Sequence, residues 1–154
     1  MAELNILIDT STRPVKREGS ASKYGKSTAC WVAYWESSVD YPFRIGVIYR
    51  DREGPNKMFY IGIVEALYDC LELIRERSAD VIIKGDNQLV IKQLKEEWSV
   101  NELEPYYEDV KSLEYYYDLS VDYVYVNDQD SNYKKVDECA KQFINIVKTK
   151  YSRI

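Results

Sequence analysis

Three aspartates stand where one kind of segment gives way to another: Asp9, Asp86 and Asp137. Asp9 closes the apolar run Ile-Leu-Ile-Asp (6–9). Asp86 closes Val-Ile-Ile-Lys-Gly-Asp (81–86) and opens an amphipathic stretch. Asp137 falls early in a last amphipathic stretch. Taken singly, an acid in such a place is a cap, because carboxylates satisfy the free N–H groups of a helix start. Taken together, three carboxylates from remote segments repel one another unless a cation neutralises them. Hard oxygen donors select Mg²⁺ or Mn²⁺. A cation held this way beside a phosphate can orient water for in-line attack. Ligand sites of open α/β sheets gather at the carboxyl ends of the strands, so the chemistry requires a fold that brings these three ends together.

Other chemistries are excluded more simply. The chain has no histidine, which removes Ser-His and Cys-His triads and any His-ligated zinc. It carries no G-x-x-x-x-G-K-[ST], G-x-G-x-x-G or C-x-x-C motif of the kind that holds nucleotides, dinucleotides or thiol redox pairs. Cys30, Cys70 and Cys139 are odd in number, far apart and set among apolar residues. They read as buried reduced thiols, which points to a cytoplasmic or nuclear, not a secreted, protein. No apolar run approaches the ~18 residues of a membrane span, and the N-terminus reads as a first strand rather than a signal peptide.

The 154 residues suit a single domain spanning 1–154, and a hydrophobic fraction of 45% can supply one core. The elements that must position the aspartates follow from periodicity. Residues 3–9, 28–36 and 43–50 read as strands, the last two as a hairpin. A loop rich in Ser, Thr, Gly and Lys is expected over 10–26. A long helix is predicted over 57–77, with positions 59, 63, 66, 67, 70, 71 and 74 inward. Then come a buried strand (81–84), helices at 87–96 and 102–117, a strand (121–126) and a helix over 133–148. The order β-β-β-α-β-α-α-β-α predicts an α/β fold. Its sheet is mixed and five-stranded: three antiparallel strands, then helix-linked ones, with helices on both faces.

At this point the residues resemble a family. Val-Ile-Ile-Lys-Gly-Asp-Asn-Gln-Leu-Val-Ile-Lys-Gln-Leu (81–94) resembles the strand–Asp–helix segment of ribonuclease H type 1 domains, especially their reverse-transcriptase-like branch. Ile-Leu-Ile-Asp (6–9) resembles that family's first strand. Residues 130–141, Asp-Ser-Asn-Tyr-Lys-Lys-Val-Asp-Glu-Cys-Ala-Lys, resemble its closing segment. The resemblance implies an RNase H-like fold, cleavage of the RNA strand of RNA–DNA hybrids, and Mg²⁺ (or Mn²⁺) held by Asp9, Asp86 and Asp137. It also implies a fourth, catalytic glutamate on the long helix. Glu65 is one candidate, although its i+4, i+7 and i+11 neighbours are Asp69, Glu72 and Glu76, a solvent stripe. In the other register, the lead 55–64 puts Phe59 in the glutamate's place; Glu53 is a further option.

The net charge of −5 opposes simple electrostatic binding of nucleic acid, so local charge must serve. Residues 13–26 hold Arg13, Lys16, Arg17, Lys23 and Lys26 against Glu18. Arg13, Lys16 and Arg17, with Lys134 and Lys135, are the candidate phosphate contacts; Asn87 and Asn132 are the candidate polar contacts to nucleic acid. The basic helix that relatives carry after the fourth strand is replaced by the acids of 95–112. Fifteen tyrosines, several of them clustered, serve as core, as stacking platforms for bases, or as a protein interface. Two functions remain: a Mg²⁺-dependent hybrid ribonuclease, or a catalytically degenerate module of the same fold that binds nucleic acid or a protein partner.

Overall fold

A computed structural model describes residues 2–14, 24–36, 44–51 and 53–127, together with 133, 134, 137, 138, 141, 142, 145 and 146. Chain order gives β1 (Glu3–Pro14), β2 (Tyr24–Trp35), β3 (Arg44–Asp51), α1 (Pro55–Arg77), β4 (Asp80–Gly85), α2 (Gln88–Leu94), α3 (Glu104–Tyr116) and β5 (Val121–Tyr125). The described residues from 133 to 146 are also helical. The predicted α/β architecture is the one observed. The sheet runs β3-β2-β1-β4-β5, antiparallel on the β3-β2-β1 side and parallel across β1-β4-β5.

Alternation along β1 decides what lies on each face. Leu4, Ile6 and Ile8 join Trp31, Ala33 and the inner side of α1 in the main core. Leu7 turns the other way and packs with Cys30, Val32, Tyr34 and Tyr133. Asp9 shares the parity of Leu7, so it points to the face that carries Tyr133. The α1 positions expected inward are buried, apart from Leu71, which is half-buried. The helix lies close on the sheet because Gly62 has no side chain: a Cβ there would come within 2.9 Å of the Ala29 Cβ. Ser78, in the left-handed region at φ 48°, ends α1 and returns its N–H to the carbonyls of Ile74 and Arg75.

One boundary differs from expectation in a way that matters. β1 runs on to Pro14, and β2 begins at Tyr24, so both ends of the loop expected over 10–26 are strand. Thr10, Ser11 and Thr12 pair with Ala29, Thr28 and Ser27, and the register shifts before Pro14 meets Tyr24. Polar composition signals a loop, but the ladder fixes backbone groups whatever the side chains are. Asp9 therefore sits within a strand rather than at its end. Cys30 and Cys70 are both buried, as expected, and Cys70 is a free thiol; Cys139 lies outside the described residues. Among the described residues, no helix is long and apolar enough to cross a membrane.

Candidate active site

Register brings the first two aspartates side by side. β1 and β4 are parallel neighbours, with Ile6 opposite Ile83 and Leu7 opposite Lys84. Two residues further along each strand stand Asp9 and Asp86. Neighbouring strands lie about 4.8 Å apart, so these two carboxylates start from adjacent backbones. Asp86 follows the last residue of β4 and precedes α2, whose N-terminus is capped by Asn87: its Oδ1 accepts from the Val90 N–H at 3.1 Å. Asp137 comes to the same place from the C-terminal helical residues, on the Tyr133 face.

The electrostatics show that the three carboxyl groups interact. Asp9 is 8% exposed, and its carboxyl pKa is pushed up to about 8. Burial is the largest cause. Next come a hydrogen bond with the Asp137 carboxyl and that group's charge, and then the charge of Asp86. The Thr10 N–H, 3.0 Å from Asp9 Oδ1, pulls the other way. Two carboxyls within hydrogen-bond reach cannot both ionise without a compensating charge.

Two residues on the C-terminal helix hold the other carboxylates. The Tyr133 hydroxyl donates to Asp86 Oδ2 at 3.2 Å. Burial, followed by the charges of Asp86, Asp9 and Asp137, holds its proton on far above the ordinary tyrosine range. Lys141 Nζ lies 2.8 Å from Asp137 Oδ2. Neither residue was singled out from the sequence. The available signal was spacing: both are four residues from Asp137, hence on its helix face.

For the fourth carboxylate the sequence left two registers of α1 open. Glu65 does not join the cluster. It lies half-buried beside Arg50, Tyr106 and Asp109, and six residues of helix carry it about 9 Å along α1 and away from the Phe59 face. Phe59 is fully buried. Its ring lies against Gly85, where any Cβ would collide with it and also come within 3.2 Å of the Ile8 carbonyl oxygen. An apolar ring thus fills the α1 side of the two strands that deliver Asp9 and Asp86. Glu53 is no substitute: its carbonyl accepts from Ser27 Oγ at 2.6 Å, and Ser27 pairs with Thr12, three residues or about 10 Å along β1 from Asp9.

The nucleic-acid contacts fare unevenly. Asn87 caps α2 with its oxygen and gives its amide to Asn56 Oδ1 at 2.9 Å, so the fold uses the side chain expected to meet nucleic acid. Lys134 is an exposed helical residue next to Tyr133. Arg13 has its backbone in β1, while its side chain, and Lys16, Arg17, Asn132 and Lys135 entirely, lie outside the described residues. Among the described residues, no three Asp, Glu, Cys or His side chains have the mutual closeness of a formed metal site. The donor chemistry nevertheless fits a divalent cation. All three groups are carboxylates, Asp9 and Asp137 are hydrogen-bonded, and Lys141 pairs with Asp137.

No family model matches the chain, and no curated protein matches it. Solved structures do. RNase H1 from the halophilic archaeon Halobacterium salinarum is 20% identical, with a TM-score of 0.69 over 93% of this chain and 98% of that one. The N-terminal RNase H domain of rv2228c from Mycobacterium tuberculosis is 18% identical, with a TM-score of 0.67 over 94% and 99%. LC11-RNase H1, solved in complex with an RNA/DNA hybrid, is 16% identical, with a TM-score of 0.68 over 82% and 86%. The chain has the RNase H-like fold.

Proposed function

We propose that this domain acts on RNA–DNA hybrids and hydrolyses their RNA strand with Mg²⁺ or Mn²⁺. One observation carries the reading. Asp9, Asp86 and Asp137, from three remote segments, interact in one cluster just beyond the point where the β1–β4 pairing ends. Burial and the neighbouring Asp137 and Asp86 carboxyls disfavour the charged form of Asp9, and a cation shared by the three would offset that cost. That LC11-RNase H1 was solved with an RNA/DNA hybrid supports the substrate class.

In this reading the three aspartates hold the cation. When bound, it would supply charge for the phosphate oxygens and a water of lowered pKa. The chain's own groups do the rest. Asp9 would hold the cation as a carboxylate. Tyr133 fixes one oxygen of Asp86, leaving the other free to bind. Lys141, tied to Asp137, lies beside the cluster as a counter-charge. Lys134, with Arg13, Lys16, Arg17, Asn132 and Lys135, would meet the hybrid's backbone.

A second reading is favoured by Phe59 and Lys141 together: with an apolar ring on one flank and an ammonium on the other, the domain would bind a hybrid without cutting it. One assay separates the two. A labelled hybrid is incubated with folded wild-type protein and with Asp86→Asn, with and without Mn²⁺. Cleavage by the wild type alone, and only with metal, supports the ribonuclease. Binding by both proteins with no cleavage supports the second reading.

A further inference from the structure

On the far side of the domain, α1 and α3 enclose a groove of about 930 Å³, lined by Val64, Tyr68, Glu108, Asp109, Tyr115 and Tyr116 among others. Tyr68 lies nine residues, or about 14 Å, along α1 from Phe59, so the groove is separate from the carboxylate cluster. We propose that it is a docking site for an arginine- or lysine-bearing segment of a protein partner.

The rings are unusually open. Tyr115 is 90% exposed, Tyr116 79% and Tyr68 53%. Two of them, Tyr68 and Tyr116, are also held in order. Tyr116 meets Tyr117 edge to face, with centroids 4.8 Å apart, and Tyr68 meets the same ring edge to face at 6.4 Å. Tyrosines braced in this way bring large contact area at little entropic cost. Isolated surface aromatics need no explanation, but an ordered row along a groove resembles the core of an interface.

Charge chooses the occupant. Glu108 and Asp109 line the groove and are exposed, and Glu72 and Glu104 stand exposed on the two helices. The lysine in the lining, Lys111, is turned inward: its ammonium donates to the Leu94 carbonyl at 2.9 Å and lies 3.4 Å from Glu114. An acidic, aromatic surface repels a phosphate backbone and attracts cations, both by charge and over the ring faces. The fold already contains this contact. The Arg75 guanidinium sits 5.7 Å from the centre of the Tyr117 ring at the edge of the groove. An incoming arginine would repeat on Tyr115 or Tyr116 what Arg75 does on Tyr117.

The test uses the full chain and a fluorescein-labelled peptide in which arginine alternates with leucine, read by anisotropy. Controls are the same peptide with glutamate for arginine, and a labelled single-stranded RNA. The arginine peptide should bind and the two controls should not. Tyr115→Ala with Tyr116→Ala, both fully surface changes, should weaken binding about tenfold or more. Glu108→Gln with Asp109→Asn should do so independently. Neither pair should alter hybrid cleavage, and both variants should stay folded, the tyrosine pair losing only the Tyr116–Tyr117 ring contact. Failure of the arginine peptide to bind overturns the proposal. So does binding indifferent to the tyrosine pair, preferential RNA binding, or self-association of the chain through this face in sedimentation.

Discussion

The ring of Phe59 lies directly against Gly85, the last residue of β4 before Asp86. This contact couples the core to the candidate site, because Gly85 can approach α1 only while it lacks a side chain. Gly85→Ala should force ring and strand apart, a kind of overpacking that costs about 1–3 kcal/mol, or several degrees in Tm for a chain of this size. Phe59→Ala should cost about 3–5 kcal/mol. In the double variant the new methyl enters the space the ring vacated, so its loss should be less than the sum of the two single losses. Denaturant titrations of the four proteins measure this; strict additivity would mean that the contact is absent.

Replacing Phe59 by glutamate tests what the ring excludes. Without a divalent ion, a carboxylate in the fully buried place of the Phe59 ring should destabilise the domain strongly, as a buried unpaired charge. Mn²⁺ should then raise the Tm of Phe59→Glu by more than it raises that of the wild type, since the ion binds the folded state with an added donor. Equal Mn²⁺-induced shifts in the two proteins would place position 59 out of reach of the cation.

How much of this was legible beforehand depends on the kind of signal. The apolar spacing of α1 and the runs before Asp9 and Asp86 revealed the elements and their order, because burial imposes period on sequence. The face of α1 was legible too. From Phe59, positions 62, 63, 66 and 70 read as core, and all are buried; the same reasoning disfavoured Glu65. Thr10 to Thr12 misled, because sheet pairing overrode their turn-like composition. Tyr133 and Lys141 were not picked out, since a contact with Asp86 or Asp137 is a tertiary fact that a side chain's own type does not announce. Asn87 looked available from its place beside Asp86, and only the geometry of α2 shows it engaged as a cap.

Tyr133→Phe removes one hydroxyl from a packed ring and leaves the rest in place. The lost hydrogen bond should reduce stability by no more than about 1.5 kcal/mol. It should weaken Mn²⁺ binding by about 10–100-fold, the usual effect of releasing a metal ligand from its supporting donor. Electron paramagnetic resonance of free Mn²⁺ reads the affinity without any need for turnover. An unchanged affinity would make Tyr133 a core residue with no hold on the site.

Away from the site, Glu114 gives stability a pH dependence. Burial, the larger effect, pushes its carboxyl above the ordinary 4.5, against the opposing pull of Lys111. A group whose folded pKa is raised favours folding most when it is protonated in both states. Its contribution is therefore full below 4.5 and is lost as pH rises through the raised value. Glu114→Gln should flatten this part of the stability profile. An unchanged slope on the alkaline side of 4.5, in urea titrations of the variant and the parent, would assign the dependence to other groups.

The central claim is that Asp9, Asp86 and Asp137 share a divalent cation. Anomalous diffraction from a crystal of the chain soaked in Mn²⁺ tests it most directly. The account predicts a manganese peak in contact with oxygens of all three carboxylates, and its loss in Asp86→Asn. A well-ordered crystal with no peak there, or with manganese bound only elsewhere, would contradict it.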